Sequence, residues 1–272
     1  MRIEGIIIHK TPYKERDVIC NLLLRSGKLT SVYFYGGRGG GKNQKGSVLE
    51  VGFMLGVELS PRRKKIESDI KIAKEYNLLW SATHTRTSYA AFCLASFYME
   101  YLSKISVAEN HLGFEDHEHE GVFNVLSNAL FYLDEAVKNN NLKLKAHLFL
   151  FLSKLSVHLG IAKNVDDCLY CDKRFLDSEL CFFDIQNGGF SCLECNSQKG
   201  EYLSDNKGMI TEYQSSLSLR LNLRRSYSLA FKLVDTLDEV SFGVVNAEFN
   251  YINYQFGLKR ELVRTWGVLF AK

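Results

Sequence analysis

Two short cysteine pairs constrain this chain more than any other feature. CLYC at 168–171 and CLEC at 192–195 repeat the C-x2-C spacing with 20 residues between them. Two-residue spacing lets each pair wrap one ion in a tight turn, and four thiolates complete a tetrahedral zinc shell. The chain between the pairs must therefore double back. DIQNGGF at 184–190 supplies the hairpin turn that does so. Cys168, Cys171, Cys192 and Cys195 are thus the expected ligands of one structural Zn²⁺. Four free thiols, or two redox pairs, explain the spacing less well. Cys181 is left over as a substitute ligand or, preferably, a buried thiol. Cys20 and Cys93 lie in apolar patterns and read as core residues. With four protein ligands, no position remains for a catalytic water.

The sequence changes period near residue 81. Before it, 3–9, 18–25, 28–35 and 66–74 read as short strands, and LEVGFMLGVELSP (49–61) alternates apolar residues on odd positions as far as Leu59. Five strands in about 75 residues, with no long helix between them, fit an OB-fold barrel. After it, 88–105 and 121–138 place apolar residues at three- and four-residue steps. Segment 141–160 is apolar nearly all round and reads as the central helix, with Gly160 as its C-cap. Helices are expected again over 211–239 and 244–270. The fold class is α+β: an N-terminal OB-fold β-barrel (1–80), then an α-helical domain (81–272) carrying an inserted four-cysteine zinc module (165–200).

Charge is unevenly divided. Residues 1–80 hold 15 Lys and Arg against 8 Asp and Glu, a net of +7; the remainder holds 19 against 23, a net of −4. Such asymmetry points to a polyanionic partner for the first part, with an uneven solvated surface as the alternative. The opening MRIEGIIIHKTPYKERD reads as a strand, not a signal peptide, which places the chain in a reducing cytoplasm. No apolar run reaches 18 residues, so no membrane span is expected.

The loop GGRGGGKNQKG (36–46) resembles a phosphate-cradling P-loop but fails its chemistry. Asn43 stands where a magnesium-binding hydroxyl is needed, and a strand pattern rather than a helix follows. What remains is a flexible cationic loop with Arg38, Lys42 and Lys45. A second basic run, Arg62, Arg63, Lys64 and Lys65, ends the alternating strand. Both clusters point to contact with a phosphate backbone, where charge supplies most of the affinity; solvated turns are the alternative. For Tyr33 and Tyr35 barrel packing is the preferred reading and base stacking the alternative. His111, His117 and His119 sit among carboxylates in what reads as a solvated loop. His147 and His158 read as core histidines. No nucleophile elbow, HExxH or paired-carboxylate site is present, and no enzymatic activity is expected.

The order of these parts resembles the bacterial recombination mediator family RecO. The likeness rests on GIIIHKTPYKERDVICNLLLRSGKLTSVYFYGGRG, on KGSVLEVGFMLGVELSP, and on the helix ending HLG before CLYC and GGFSCLEC. This glycine loop has more glycine and fewer arginines than its usual counterpart. The resemblance implies a cytoplasmic, nucleoid-associated DNA-repair factor that is not an enzyme. Such a protein binds single- and double-stranded DNA, anneals complementary strands, and contacts RecR and the C-terminal tail of single-strand-binding protein to load recombinase. Arg220, Arg224 and Arg225 are candidates for the tail pocket, against a plain exposed helix face. The competing reading is an interaction adaptor with a structural zinc and no DNA affinity.

Overall fold

The computed structural model of the chain describes residues 1–38, 45–61, 70–111, 120–199, 213–237 and 240–270. Its first five strands are β1 (Arg2–Tyr13), β2 (Asp17–Leu24), β3 (Leu29–Phe34), β4 (Met54–Leu59) and β5 (Lys71–Trp80). They close into a barrel in the order β1-β2-β3-β5-β4. Every pairing is antiparallel except β3 with β5, which meet in parallel at Val32–Lys71 and Tyr33–Ile72. This is the OB-fold expected from the strand count.

Alternation explains the barrel core. In β2, Val18, Cys20 and Leu22 are fully buried, while Asp17, Ile19 and Asn21 face outward. Val32 and Phe34 of β3 and Leu55, Val57 and Leu59 of β4 fill the same interior. The run 49–59 is not one strand, however. Leu49 reaches the core, but Val51 is 36% exposed. The amide of Phe53 donates to the Glu50 carbonyl, and Gly52 takes φ +88, so the chain turns before β4 begins. The alternation in the sequence runs across that turn and hides it.

The helices are α1 (Tyr89–His111), α2 (Glu120–Lys138), α3 (Leu144–His158), α4 (Leu193–Lys199), α5 (Tyr213–Ser228), α6 (Phe242–Gln255) and α7 (Arg264–Leu269). A hairpin of β6 (Cys181–Asp184) and β7 (Gly189–Cys192) precedes α4. The chain forms two compact units: Met1–Leu142 with Glu261–Lys272, and Lys143–Arg260. In the first, β1 packs against α1, and Ile6, Ile7 and Ile8 are all buried. The α1 face read from the sequence is buried throughout, from Ala91 to Ile105. Glu100 of α1 caps α7, accepting from the Arg264 and Thr265 amides at 3.1 and 2.9 Å.

In the second unit α3 is the buried centre, packed on α5 and α6. It ends as expected at Gly160 (φ +73). The Gly160 amide donates to Val157 and the Ile161 amide to Ser156, a Schellman closure. The two long helices expected near the C-terminus are broken. A 3-10 stretch, Phe231–Thr236, follows α5, and Ser241 caps α6 by accepting from the Val244 amide. Gly257 (φ +59) follows the end of α6. Among the described residues, no helix is long and apolar enough to cross a membrane.

Candidate functional site

The hairpin brings the two cysteine pairs together. Cys168 and Cys171 lie on a tight turn closed by the Asp172 amide on the Cys168 carbonyl at 3.0 Å. The Leu169 amide donates to the Phe190 carbonyl at 2.8 Å and ties this turn to β7. Cys192 ends β7, and Cys195 follows in the first turn of α4. The four sulfurs all lie within 4.8 Å of one another. Cys171 Sγ and Cys192 Sγ are 3.8 Å apart. Four sulfurs about 2.3 Å from a tetrahedral ion would sit about 3.8 Å apart, so the donor set fits a metal. The backbone also prepares the ligands. The Cys192 amide donates to Cys168 Sγ at 3.3 Å, and the Cys195 amide to Cys192 Sγ at 3.5 Å. Burial opposes ionisation of Cys168, yet backbone amides and the Cys171 thiol bring it down to about 7.

Cys181 is outside this cluster. It is buried, and burial pushes its thiol up to about 11. Cys20 and Cys93 are likewise buried. The module is anchored from within its own unit. Phe183 of β6 packs on Phe190 at 5.3 Å and on Tyr251 of α6 at 5.8 Å. Arg220 of α5 is fully buried, donates to the Val165, Leu176 and Asp177 carbonyls, and lies 4.9 Å from the Phe175 ring centre. It therefore holds the module's loops and cannot receive an acidic tail. Arg224 bridges Asp166 at 3.1 Å and Asp177 at 2.5 Å. Arg225 alone of the three is exposed without a bridge of this kind among the described residues.

At the barrel, the β1–β2 turn meets the exit from β3. The Arg38 amide donates to the Arg16 carbonyl at 2.8 Å, and the Arg38 guanidinium approaches the Lys14 carbonyl at 3.5 Å. Lys14, Arg16 and Arg38 are all exposed, so three cations share one rim. Glu15 lies among them. Residues 94–221 match the family model described as "Recombination protein O C terminal". This stretch is a RecO-family C-terminal domain. A search of curated proteins returned no match.

The RecO domain supports a RecO-type recombination and repair protein, and the barrel and cysteine module stand where the family resemblance placed them. Of the seven cations expected to touch DNA, Arg38 is exposed on the rim. Lys45 opens a short 3-10 turn, Lys45–Val48. Lys42, Arg62, Arg63, Lys64 and Lys65 lie outside the described residues, as do His117 and His119. Lys14 and Arg16 are not among the cations that the sequence reading assigns to DNA, although the polar run KTPYKERD between two apolar strands is a turn signal with cations in it. Barrel packing also fails as the account of Tyr33 and Tyr35. Val32 and Phe34 occupy the interior, and the two tyrosines face out.

Proposed function

We propose that this chain, with its RecO-family domain, is a non-enzymatic recombination mediator. It binds single- and double-stranded DNA through the barrel, anneals complementary strands, and with RecR and the tail of single-strand-binding protein loads recombinase in the cytoplasm, at the nucleoid. The observation that carries this reading is the barrel rim where Lys14, Arg16 and Arg38 converge, in a chain with that domain. Cationic loops on an OB barrel attract a phosphate backbone without reading sequence. The first 80 residues, net +7, carry the positive charge while the rest is net −4. The sequence of that first part also contains the basic residues Lys42, Lys45, Arg62, Arg63, Lys64 and Lys65.

The four cysteines hold one Zn²⁺ in this account, as a structural ion. Thiolate is the ligand type that suits zinc, and a shell of four protein sulfurs leaves no open coordination position. The ion's contribution is folding energy for the module.

An annealing assay tests the mediator reading. Complementary strands, bare or coated with single-strand-binding protein, should anneal faster when the chain is added, without nucleotide hydrolysis. Unchanged annealing rates with both substrates would contradict the reading.

A further inference from the structure

On the outer face of the barrel, beside the cationic rim, stands a tier of three tyrosines. Tyr13 ends β1, Tyr33 lies in β3, and Tyr35 follows it. The Tyr13 and Tyr33 ring centres are 5.5 Å apart at 76°, and those of Tyr33 and Tyr35 are 4.7 Å apart at 69°. Tyr35 is 64% exposed and Tyr13 44%. The middle ring is fixed from below. Its hydroxyl donates to Asp17, whose other carboxylate oxygen accepts from the Gly36 amide at 2.7 Å. Those bonds, the Tyr33 hydroxyl first, hold the Asp17 carboxyl below its usual range. Asp17 thus joins the tyrosine tier to the first residue of the glycine loop, and its charge is engaged there.

We propose that Tyr13 and Tyr35, flanking the braced Tyr33, form a base-stacking platform for an unpaired nucleic-acid strand, with Lys14, Arg16 and Arg38 receiving its phosphates. The proposal rests on the DNA-binding reading above and deepens it. Rings take the faces of bases only where those bases are unstacked, which a duplex does not offer. Cations serve either form, because both carry the same backbone. The platform therefore supplies the preference for single strands, and the rim supplies affinity common to both. Asp17 acts as a positioning residue by fixing the middle ring and the root of the loop.

The test uses the full chain and three probes of equal length: an oligothymidylate, an abasic oligomer and a duplex. Wild type should bind the oligothymidylate more tightly than the abasic strand. Tyr35→Ala and Tyr13→Ala should each weaken oligothymidylate binding by roughly five- to a hundredfold, the range for loss of one stacked base. The salt dependence and duplex affinity should stay as in wild type. Tyr35→Phe and Tyr13→Phe keep the ring and should bind as wild type, which separates stacking from damage to the fold. Equal wild-type affinity for oligothymidylate and abasic strand would overturn the platform while leaving DNA binding intact. Parallel loss of single-strand and duplex binding in the alanine variants would also overturn it. Absence of any DNA binding by wild type would remove both the platform and the reading it rests on.

Discussion

His147 is buried inside α3, and neither ring nitrogen has a hydrogen-bond partner among the described residues. Burial brings its pKa down to about 4, against the opposing pull of Asp235. An unfolded histidine titrates near 6.5. Between those values the unfolded chain holds a proton that the folded chain excludes, so stability is full above about 6.5 and falls as pH drops toward 4. From pH 7.5 to 5 the loss attributable to this group should be about 2 kcal/mol. Denaturant unfolding of wild type and His147→Leu at the two pH values measures it: the variant should lose correspondingly less. Identical losses would show that His147 does not exclude the proton. A second buried group is Lys163, whose ammonium lies 2.7 Å from Glu248 and 3.8 Å from the Tyr251 ring centre, with both charged side chains fully buried. Lys163→Met strands the carboxylate and should cost about 3–5 kcal/mol. Adding Glu248→Leu should recover most of that cost in the same unfolding measurement. The burial of His147 was legible from the apolar helix around it, although His158, read the same way, is exposed; the environment of Lys163 was not. Lys163 pairs with a residue 85 positions away, and nothing near IAKN marks it as buried. Arg220 misled for the same reason: SLRLNLRRS reads as a basic helix, but the first of its arginines is consumed by loop carbonyls.

At the scale of elements, the cysteine module was the most readable part. Its four clustered cysteines, its hairpin and the turn between them follow from local spacing, since a C-x2-C turn and a glycine hairpin are set within a few residues. The same locality made α1, α2, α3 and the Gly160 ending of α3 legible. Breaks in helical regions were harder. The C-terminal run keeps an apolar pattern across the ends of α5 and α6, and Ser241 and Gly257 are weak marks beside it. The turn at Gly52 was missed because alternation persisted through it. The module's two short strands bury Phe182, Phe183 and Phe190, but a two-stranded hairpin is marginal by itself. Removing metal with a chelator should therefore loosen it. Hydrogen exchange should rise across 165–199 while the barrel amides keep their protection. Unchanged exchange in a metal-free chain would show that the cysteines do not depend on an ion for their arrangement.

Across the whole molecule, two features were legible from different kinds of information. Composition showed that positive charge gathers in the first 80 residues, and strand count showed a barrel beneath it. The sequence pattern did not show that the turn after β1 and the exit from β3 meet, because barrel closure joins residues far apart in the chain. That closure is what gives Lys14, Arg16 and Arg38 a common rim. It also explains why barrel packing is the preferred sequence reading for Tyr33 and Tyr35 although both face outward, since facing in or out depends on the register of each strand. The central claim is that the barrel grips polyphosphate by charge. The direct measurement is the slope of log affinity against log salt for single-stranded DNA, compared between wild type and Arg38→Ala/Lys42→Ala/Lys45→Ala. A linear fall is expected for wild type, with the variant's slope shallower by about 0.7 for each phosphate that it no longer neutralises. Superimposable slopes in the two proteins, or affinity indifferent to salt, would contradict the account.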